Sequence, residues 1–323
     1  MGLFKGLIKT GLVVGGIAGA VYVAERLMIQ QLGDNPDPEP GWRPQTPDGE
    51  LSTITTDDGT SLRVISEGEG SPIVLVHGLL VSLDVFALVW DDLVKAGHRV
   101  IGVDLRGHGG STVGDDGHGL DLSGDDLATL VRELDLHDAV IVGHSMGGMA
   151  ALSFAVRHPD LAAERVSGLV IANSAAGGLF DAPQNQAQLA LVKAGFAGAL
   201  INHEAHGKVL SRLYFGPKPA LSQVAALNEM HASQPPETIV DASAALERYE
   251  LHDRLDEIKV PTLVISSEKD GILPSSFSER IAAGVPGSRL EVLEGVGHMS
   301  LFEAPEAFVD LVTGFVAEVA TSV

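Results

Sequence analysis

Short apolar runs alternate with helix-like patterns through most of this chain, and this alternation limits its fold more than any other feature. Buried strands of a parallel sheet appear in sequence as continuous Val, Ile and Leu runs, and helices connect them. Such runs lie at residues 72–77, 98–105, 139–143, 166–173, 260–266 and 289–293, and two further predicted strands, at residues 51–56 and 62–66, flank the hairpin turn signal Asp57-Asp58-Gly59. They predict an α/β fold with a mostly parallel, roughly eight-stranded sheet and helices on both faces.

Helix-like patterns fill the gaps between these runs. They lie at residues 83–95, 124–134, 147–157, 276–283 and 305–319. Ser123 and Asp126 have the spacing of a capping box, so the second of these helices is predicted to begin directly after Ser123.

The interval between Asn173 and Val260 is too long for one crossover connection. It holds about 85 residues, whereas a crossover needs one helix and two short loops. Helical patterns fall inside it at residues 186–201, 205–215 and 221–230. We therefore predict a core formed by residues 51–176 and 248–323, with residues 177–247 inserted as a helical cap.

The clearest chemical motif is Gly143-His144-Ser145-Met146-Gly147, between an apolar run and a helical pattern. A tight strand-to-helix turn needs small residues around the serine and lifts its hydroxyl out of the backbone. The N-terminus of the following helix favours negative charge nearby. We predict that Ser145 is a nucleophile. The alternative interpretation is a simple glycine-rich turn.

A serine nucleophile needs a general base and a group that orients the base. Asp270 follows the run at 260–266, and His298 follows the run at 289–293. Both should therefore lie with Ser145 at the carboxyl edge of the sheet. The chain order serine, acid, histidine is the one expected of such a site. We predict the triad Ser145, Asp270 and His298, with Glu268 as an alternative acid.

The same chemistry requires donors for a developing oxyanion. The backbone N–H of Met146 would supply one donor. His77-Gly78-Leu79 ends the run at 72–77, and the N–H of Leu79 would supply the other. The alternative interpretation of this tripeptide is an ordinary strand-to-helix loop.

Together, these motifs resemble those of the α/β-hydrolase fold family, from about Leu51 to the C-terminus. Asp104-Leu105-Arg106-Gly107-His108-Gly109-Gly110-Ser111 is similar to the family's D-x-R-G-x-G-x-S loop. Gly297-His298, followed by Glu303-Ala304-Pro305-Glu306, is similar to its catalytic-histidine segment. The chain looks most like lid-bearing bacterial esterases, lipases and non-haem haloperoxidase-like hydrolases. Epoxide hydrolases and haloalkane dehalogenases of the family have aspartate where this chain has Ser145, so those reactions are disfavoured.

The triad and the resemblance indicate a cofactor-free serine hydrolase that cleaves a lipophilic small-molecule ester through an acyl-enzyme. A C–C bond hydrolase, a lactonase or a perhydrolase could use the same triad, because only pocket geometry distinguishes them. A module that binds a small ligand without catalysis is the alternative from another class. No metal site is predicted. The pocket between cap and sheet is predicted to be lined by Leu79, Leu80, Phe180, Phe196, Leu213 and Phe215.

Residues 1–32 differ from the rest of the chain. Residues 10–24 carry no charge, and as a helix they would span about 22 Å, short of the ~30 Å hydrocarbon core. We favour a membrane anchor over a secretory signal or a helix packed on the domain. The first two interpretations predict a membrane-associated or exported bacterial protein, and the third a cytoplasmic one. Five prolines at residues 33–47 predict that residues 33–50 form a tether.

Composition excludes several other classes. The chain has no cysteine, which excludes a disulfide framework, thiolate zinc sites and a cysteine nucleophile. Its formal net charge of −22 would repel nucleic-acid phosphates, so no nucleic-acid partner is predicted.

Overall fold

The computed structural model describes residues 26–321, except residues 38, 182–185, 187–188, 191 and 194–200. The apolar stretch at residues 10–24, predicted as an anchor or signal, lies outside the described residues. Within the described part of the chain, no helix is long and apolar enough to cross a bilayer.

Eight strands form one sheet among the described residues. They are β1 (Glu50–Thr55), β2 (Ser61–Glu67), β3 (Ser71–Val76), β4 (His98–Val103), β5 (Ala139–His144), β6 (Val166–Ala172), β7 (Thr262–Ser267) and β8 (Arg289–Leu293). Their spatial order is β1-β2-β4-β3-β5-β6-β7-β8. β2 pairs antiparallel with β1 and β4, and the other neighbouring pairs are parallel. The predicted α/β fold with a mostly parallel sheet is confirmed.

Helices cover both faces of this sheet, and others lie in the long connection between β6 and β7. They are α1 (Ala87–Lys95), α2 (Leu120–Glu133), α3 (Met146–Arg157), α4 (Pro159–Arg165), α5 (Glu204–Arg212), α6 (Leu221–Ser233), α7 (Pro236–Arg248), α8 (Ser276–Gly284), α9 (Ser300–Glu303) and α10 (Pro305–Ala320). Short 3₁₀ helices lie at Leu83–Phe86 and His252–Glu257.

The central strands bury both of their faces. In β3, Val74 and Val76 belong to an apolar cluster that includes residues of α2, α3 and α8, whereas Ile73 and Leu75 belong to a second cluster that includes residues of α1 and α10. All four side chains are fully buried. Burial on both faces explains why these strands appear in the sequence as continuous apolar runs rather than as alternating patterns.

The predicted start of α2 is wrong. The helix begins at Leu120, and Ser123 lies inside it with its Oγ donating to the carbonyl of Gly119 at 3.1 Å. Asp126 does not close a capping box, because its carboxylate accepts two hydrogen bonds from the buried guanidinium of Arg106 at 2.6 and 2.7 Å. A long-range ion pair therefore explains this acidic residue.

Helices α5, α6 and α7 lie in the long interval between β6 and β7. Helix α7 was not predicted, although Pro236 occupies its first turn, where a missing N–H costs nothing. Thr238 Oγ1 donates to the carbonyl of Gly107 at 2.8 Å, and the N–H of Gly109 donates to Gln234 Oε1 at 3.1 Å. These contacts fasten the inserted helices to the loop after β4, at the carboxyl edge of the sheet.

Part of the segment predicted as a tether is fastened to the insertion. Asn35 Nδ2 donates to the carbonyl of Pro219 at 2.9 Å. The carboxylate of Asp37 accepts from the N–H and the hydroxyl of Ser222 at 3.0 and 2.8 Å. Ser222 lies in the first turn of α6, which follows Ala220, so Asp37 supplies the side-chain cap that alanine cannot.

Candidate active site

Ser145 lies in a tight turn between β5 and α3. Its backbone has φ 55° and ψ −119°, a conformation that non-glycine residues rarely adopt. The turn also brings α3 very close to β3, because a Cβ on Gly147 would lie 2.0 Å from the carbonyl oxygen of Val76. Only glycine therefore fits at position 147, as the motif predicts.

His298 lies between Ser145 and Asp270. Its Nε2 is 3.0 Å from Ser145 Oγ, and its Nδ1 is 2.8 Å from Asp270 Oδ2. Both His298 and Asp270 are buried. Because an ionised carboxylate can only accept hydrogen bonds, Nδ1 must carry the imidazole proton. Nε2 is then left as the acceptor that faces the serine hydroxyl. The structure thus brings the three predicted residues together in hydrogen-bonded order.

The carboxylate of Asp270 is fixed on both oxygens. Oδ1 accepts the N–H groups of Ile272 and Leu273 at 2.9 and 2.8 Å. Oδ2 also accepts from Asn173 Nδ2 at 3.1 Å. Burial would raise the pKa of Asp270, but the charge and hydrogen bond of His298 and the two backbone donors outweigh it, so the pKa is lowered. Asp270 is therefore held in its charged form.

Asn173 is a supporting residue that the sequence analysis did not single out. It follows β6 with φ 47°, and its Oδ1 accepts from Ser300 Oγ at 2.7 Å. That hydrogen bond fixes which end of the amide faces Asp270. The sequence signal for it was a polar residue directly after a largely apolar strand.

Glu268, the alternative acid, is not beside His298. Its carboxylate accepts from the N–H of Gly295 at 2.9 Å and from Lys269 Nζ at 2.7 Å. Its side chain is solvent exposed. The geometry therefore favours Asp270 over Glu268 as the partner of the imidazole.

Two backbone N–H groups beside Ser145 have no hydrogen-bond partner among the described residues: those of Leu79 and Met146. Their loops are close together, because a Cβ on Gly78 would lie 3.1 Å from Ser145 Cβ. The imidazole of His77 fixes the first loop, with Nδ1 2.7 Å from the carbonyl of Gly78 and Nε2 accepting the N–H of Leu105 at 2.9 Å.

A second histidine holds the loop that carries His298. The Nε2 of His144 is 2.9 Å from the carbonyl oxygen of His298, so it donates to that oxygen. Burial and the charge of His298 lower the pKa of His144 to about 3. A neutral His144 is compatible with this single bond, so the second position of the motif has a structural role.

A narrow cavity of about 80 Å³ opens at Ser145. Within the described part of the chain, its lining contains no aspartate, glutamate, lysine or arginine. The lining residues beyond the loops already named are mostly apolar: Val81, Met149, Leu179, Tyr214, Leu227, His231, Leu246, Ile272, Leu273 and Met299.

Of the six side chains predicted to line the pocket, Leu79 does so. Leu80 is buried in a small separate cluster, and Phe180 lines a neighbouring cavity instead. Leu213 is 58% exposed, and Phe215 is packed in the core. Phe196 lies outside the described residues. These apolar residues pack within the protein or face solvent, which periodicity alone does not distinguish from lining a cavity.

Glu303 joins the inserted segment to the loop of His298. Its two carboxylate oxygens accept the N–H groups of Gly216 and Gly297 at 2.7 and 2.9 Å. Burial raises the pKa of Glu303 to about 7, although both backbone donors and Arg212 act in the opposite direction. The charged form of this carboxylate is therefore costly at neutral pH.

We expect Glu303 to make the folded state less stable as the pH rises. Because its pKa is higher in the folded state, the folded state binds more protons between the ordinary value of 4.5 and about 7. The contribution of Glu303 to the free energy of unfolding should therefore fall across that interval. The buried histidines His77, His108, His144 and His231 act in the opposite direction, because their lowered pKa values make the folded state bind fewer protons there. Urea unfolding at a series of pH values should therefore show that Glu303→Gln gains stability relative to the wild type as the pH rises from about 4.5 to about 7. A constant difference in stability between the two proteins would contradict the expectation.

A sequence model of the alpha/beta hydrolase fold family matches residues 71–305. The chain belongs to this family. It is 31% identical to a non-heme haloperoxidase of Rhodococcus erythropolis, over 76% of this chain and 92% of the relative. It is 28% identical to a 2-hydroxy-6-oxononadienedioate/2-hydroxy-6-oxononatrienedioate hydrolase of Klebsiella pneumoniae, over 85% of this chain and 99% of the relative. The structure of the esterase EaEST from Exiguobacterium antarcticum matches with a TM-score of 0.75 at 26% identity, over 82% of this chain and 99% of the esterase.

These α/β hydrolases are named for different reactions. Membership of the family therefore establishes the fold and a relationship to enzymes that act on small molecules, but not one reaction. The reaction of this α/β hydrolase depends on the residues that surround Ser145.

Proposed function

We propose that this α/β hydrolase is a cofactor-free serine esterase that cleaves small, lipophilic carboxylic esters through an acyl-enzyme. One observation carries the proposal: His298 lies 3.0 Å from Ser145 Oγ through Nε2 and 2.8 Å from Asp270 Oδ2 through Nδ1. The unpartnered N–H groups of Leu79 and Met146 beside the serine support it.

Ser145 acts as the nucleophile. His298 Nε2 takes the hydroxyl proton as Oγ attacks the ester carbonyl carbon, and Asp270 stabilises the resulting imidazolium. The carbonyl oxygen becomes an oxyanion that accepts the N–H groups of Leu79 and Met146, each donor being worth about 10² to 10³ in rate. The imidazolium then returns the proton to the alcohol oxygen as the C–O bond breaks.

Water completes the cycle. His298 removes a proton from a water molecule, which attacks the acyl-enzyme and forms a second oxyanion in the same position. Collapse of this intermediate breaks the bond to Ser145 Oγ, which regains its proton from His298. The products are a carboxylic acid and an alcohol.

Related reactions could use the same groups. A lactone is a cyclic ester and would open by the same steps, while perhydrolysis would use hydrogen peroxide in place of water. The name of the Klebsiella relative specifies a dioate. A second carboxylate of that kind is poorly matched by this cavity, because its described lining contains no lysine or arginine. The cavity therefore supports cleavage of an ester or lactone better than C–C cleavage of a dioate.

We also propose that residues 177–247 act as the cap over the cavity. Tyr214, Leu227, His231 and Leu246 of that interval contribute to its lining, so a substrate would lie between them and the sheet. The membrane-anchoring or export role of residues 1–32 stays a prediction.

A series of p-nitrophenyl esters tests the substrate class. We expect turnover of the acetate and butyrate esters and a steep loss of kcat/KM for the octanoate and dodecanoate, because the cavity is narrow. The ratio of kcat/KM to the rate of uncatalysed hydrolysis corrects for the reactivity of each ester. A kcat/KM that is highest for the dodecanoate would contradict the expectation drawn from the narrow cavity. Absence of turnover across the series would contradict the esterase proposal itself.

A further inference from the structure

The cavity has two polar side chains on the inserted segment that take no part in the proposed reaction. His231 of α6 is 4% exposed and lines the cavity. The ring of Tyr214 lies between it and the catalytic imidazole, with centroid distances of 5.2 Å to His231 and 5.7 Å to His298. Both side chains are therefore close to the position where an ester would react.

Neither side chain is satisfied within the described part of the protein. The imidazole of His231 and the hydroxyl of Tyr214 make no hydrogen bond to any residue that the structure describes. Burial and the charge of His298 lower the pKa of His231 to about 4, so its imidazole is neutral at physiological pH. It then offers one N–H donor and one nitrogen acceptor, and the phenol of Tyr214 offers a hydroxyl.

The surroundings restrict what these groups can bind. The rest of the described lining is mostly apolar and carries no charged side chain. A complementary group would therefore be polar but uncharged.

We propose that His231, together with Tyr214, is a specificity site for a second neutral oxygen of the substrate, a hydroxyl or carbonyl placed a few bonds from the scissile ester or lactone. This inference rests on the proposed esterase function. The polar atoms of both side chains face a mostly apolar cavity, so a substrate oxygen that enters it would find its hydrogen-bond partners there. A site built to bond such an oxygen selects against the analogue that lacks it. The substrate class is thus a small, oxygen-substituted ester or lactone rather than a plain alkyl ester.

Two matched substrates test this inference: p-nitrophenyl butyrate and p-nitrophenyl 3-hydroxybutyrate. They share a leaving group and differ by one hydroxyl. We expect the wild-type kcat/KM for the hydroxy ester to exceed that for butyrate by roughly tenfold, the value of one net hydrogen bond. His231→Phe keeps a ring but removes both nitrogens, so the preference, taken as the ratio of the two kcat/KM values in the same variant, should fall to about one.

Three further variants separate binding from folding. His231→Asn keeps a donor and an acceptor and should retain part of the preference, and Tyr214→Phe, which removes only a hydroxyl, should lower it less than His231→Phe. Met230→Leu alters the neighbouring buried side chain of α6 and should leave it unchanged. Equal turnover of both esters by the wild type, or a preference that survives both His231→Phe and Tyr214→Phe, would overturn this inference alone. Absence of turnover of either ester by the wild type would overturn the esterase function and this inference with it.

Discussion

Replacing Ser145 with alanine is expected to lower kcat for p-nitrophenyl butyrate on the order of 10⁶-fold, because the proposed acyl-enzyme forms on the hydroxyl that His298 contacts and alanine lacks it. The substitution removes only the hydroxyl group. Alanine must adopt the same backbone conformation, φ 55°, so the strain of the turn is retained. We therefore expect the free energy of unfolding to change by less than about 0.5 kcal/mol.

Steady-state kinetics and urea unfolding on the same preparation would test this expectation. Ser153→Ala is the matched control, because Ser153 is a fully buried serine of α3, the helix that follows Ser145, and does not line the cavity. It should keep its turnover. Turnover by Ser145→Ala close to that of the wild type would show that another group attacks the ester.

Replacing Asp270 with asparagine is expected to lower kcat about 10⁴-fold, with a much smaller change in KM. The hydrogen bonds of Asp270 dictate how asparagine would sit. The N–H groups of Ile272 and Leu273 donate to Oδ1 at 2.9 and 2.8 Å, so the amide oxygen must stay there. The NH₂ group then faces His298 Nδ1, which must accept a hydrogen bond from it. The imidazole proton therefore moves to Nε2, and a protonated Nε2 cannot accept the proton of Ser145.

Glu268→Gln is the control for this prediction. Glu268 leaves the end of the same strand but bonds Gly295 and Lys269 instead of the imidazole. We expect its kcat to stay close to that of the wild type. A larger loss of kcat in Glu268→Gln than in Asp270→Asn would reverse the assignment of the acid.

The fold was largely predictable because the central strands of its sheet are buried on both faces. Each strand of the sheet coincides within a few residues with a Val-rich, Ile-rich or Leu-rich run, and the turn at Ser145 follows from the glycines that its close packing requires. The errors arise where a long-range partner replaces a local one. Asp126 binds Arg106 instead of capping α2, and Asp37 caps α6 from a segment that its prolines marked as a tether.

The core of the candidate site was also predictable, since sheet topology brings the ends of β3, β5, β7 and β8 to one edge. Its surroundings were not. Leu213 is exposed and Phe215 lies in the core, although both appear in the sequence as apolar residues of a helical insertion. His231 matters because the insertion places it in the cavity. Glu303 matters because it accepts hydrogen bonds from both the insertion and the loop of His298. No local pattern encodes such contacts.

Covalent labelling with a fluorophosphonate, followed by intact-protein and peptide mass spectrometry, tests most directly whether Ser145 is an activated nucleophile. We predict one adduct per chain, located on Ser145, with no adduct on Ser145→Ala and a much slower reaction with Asp270→Asn. An unlabelled wild-type protein, or an adduct on any other residue, would contradict the account.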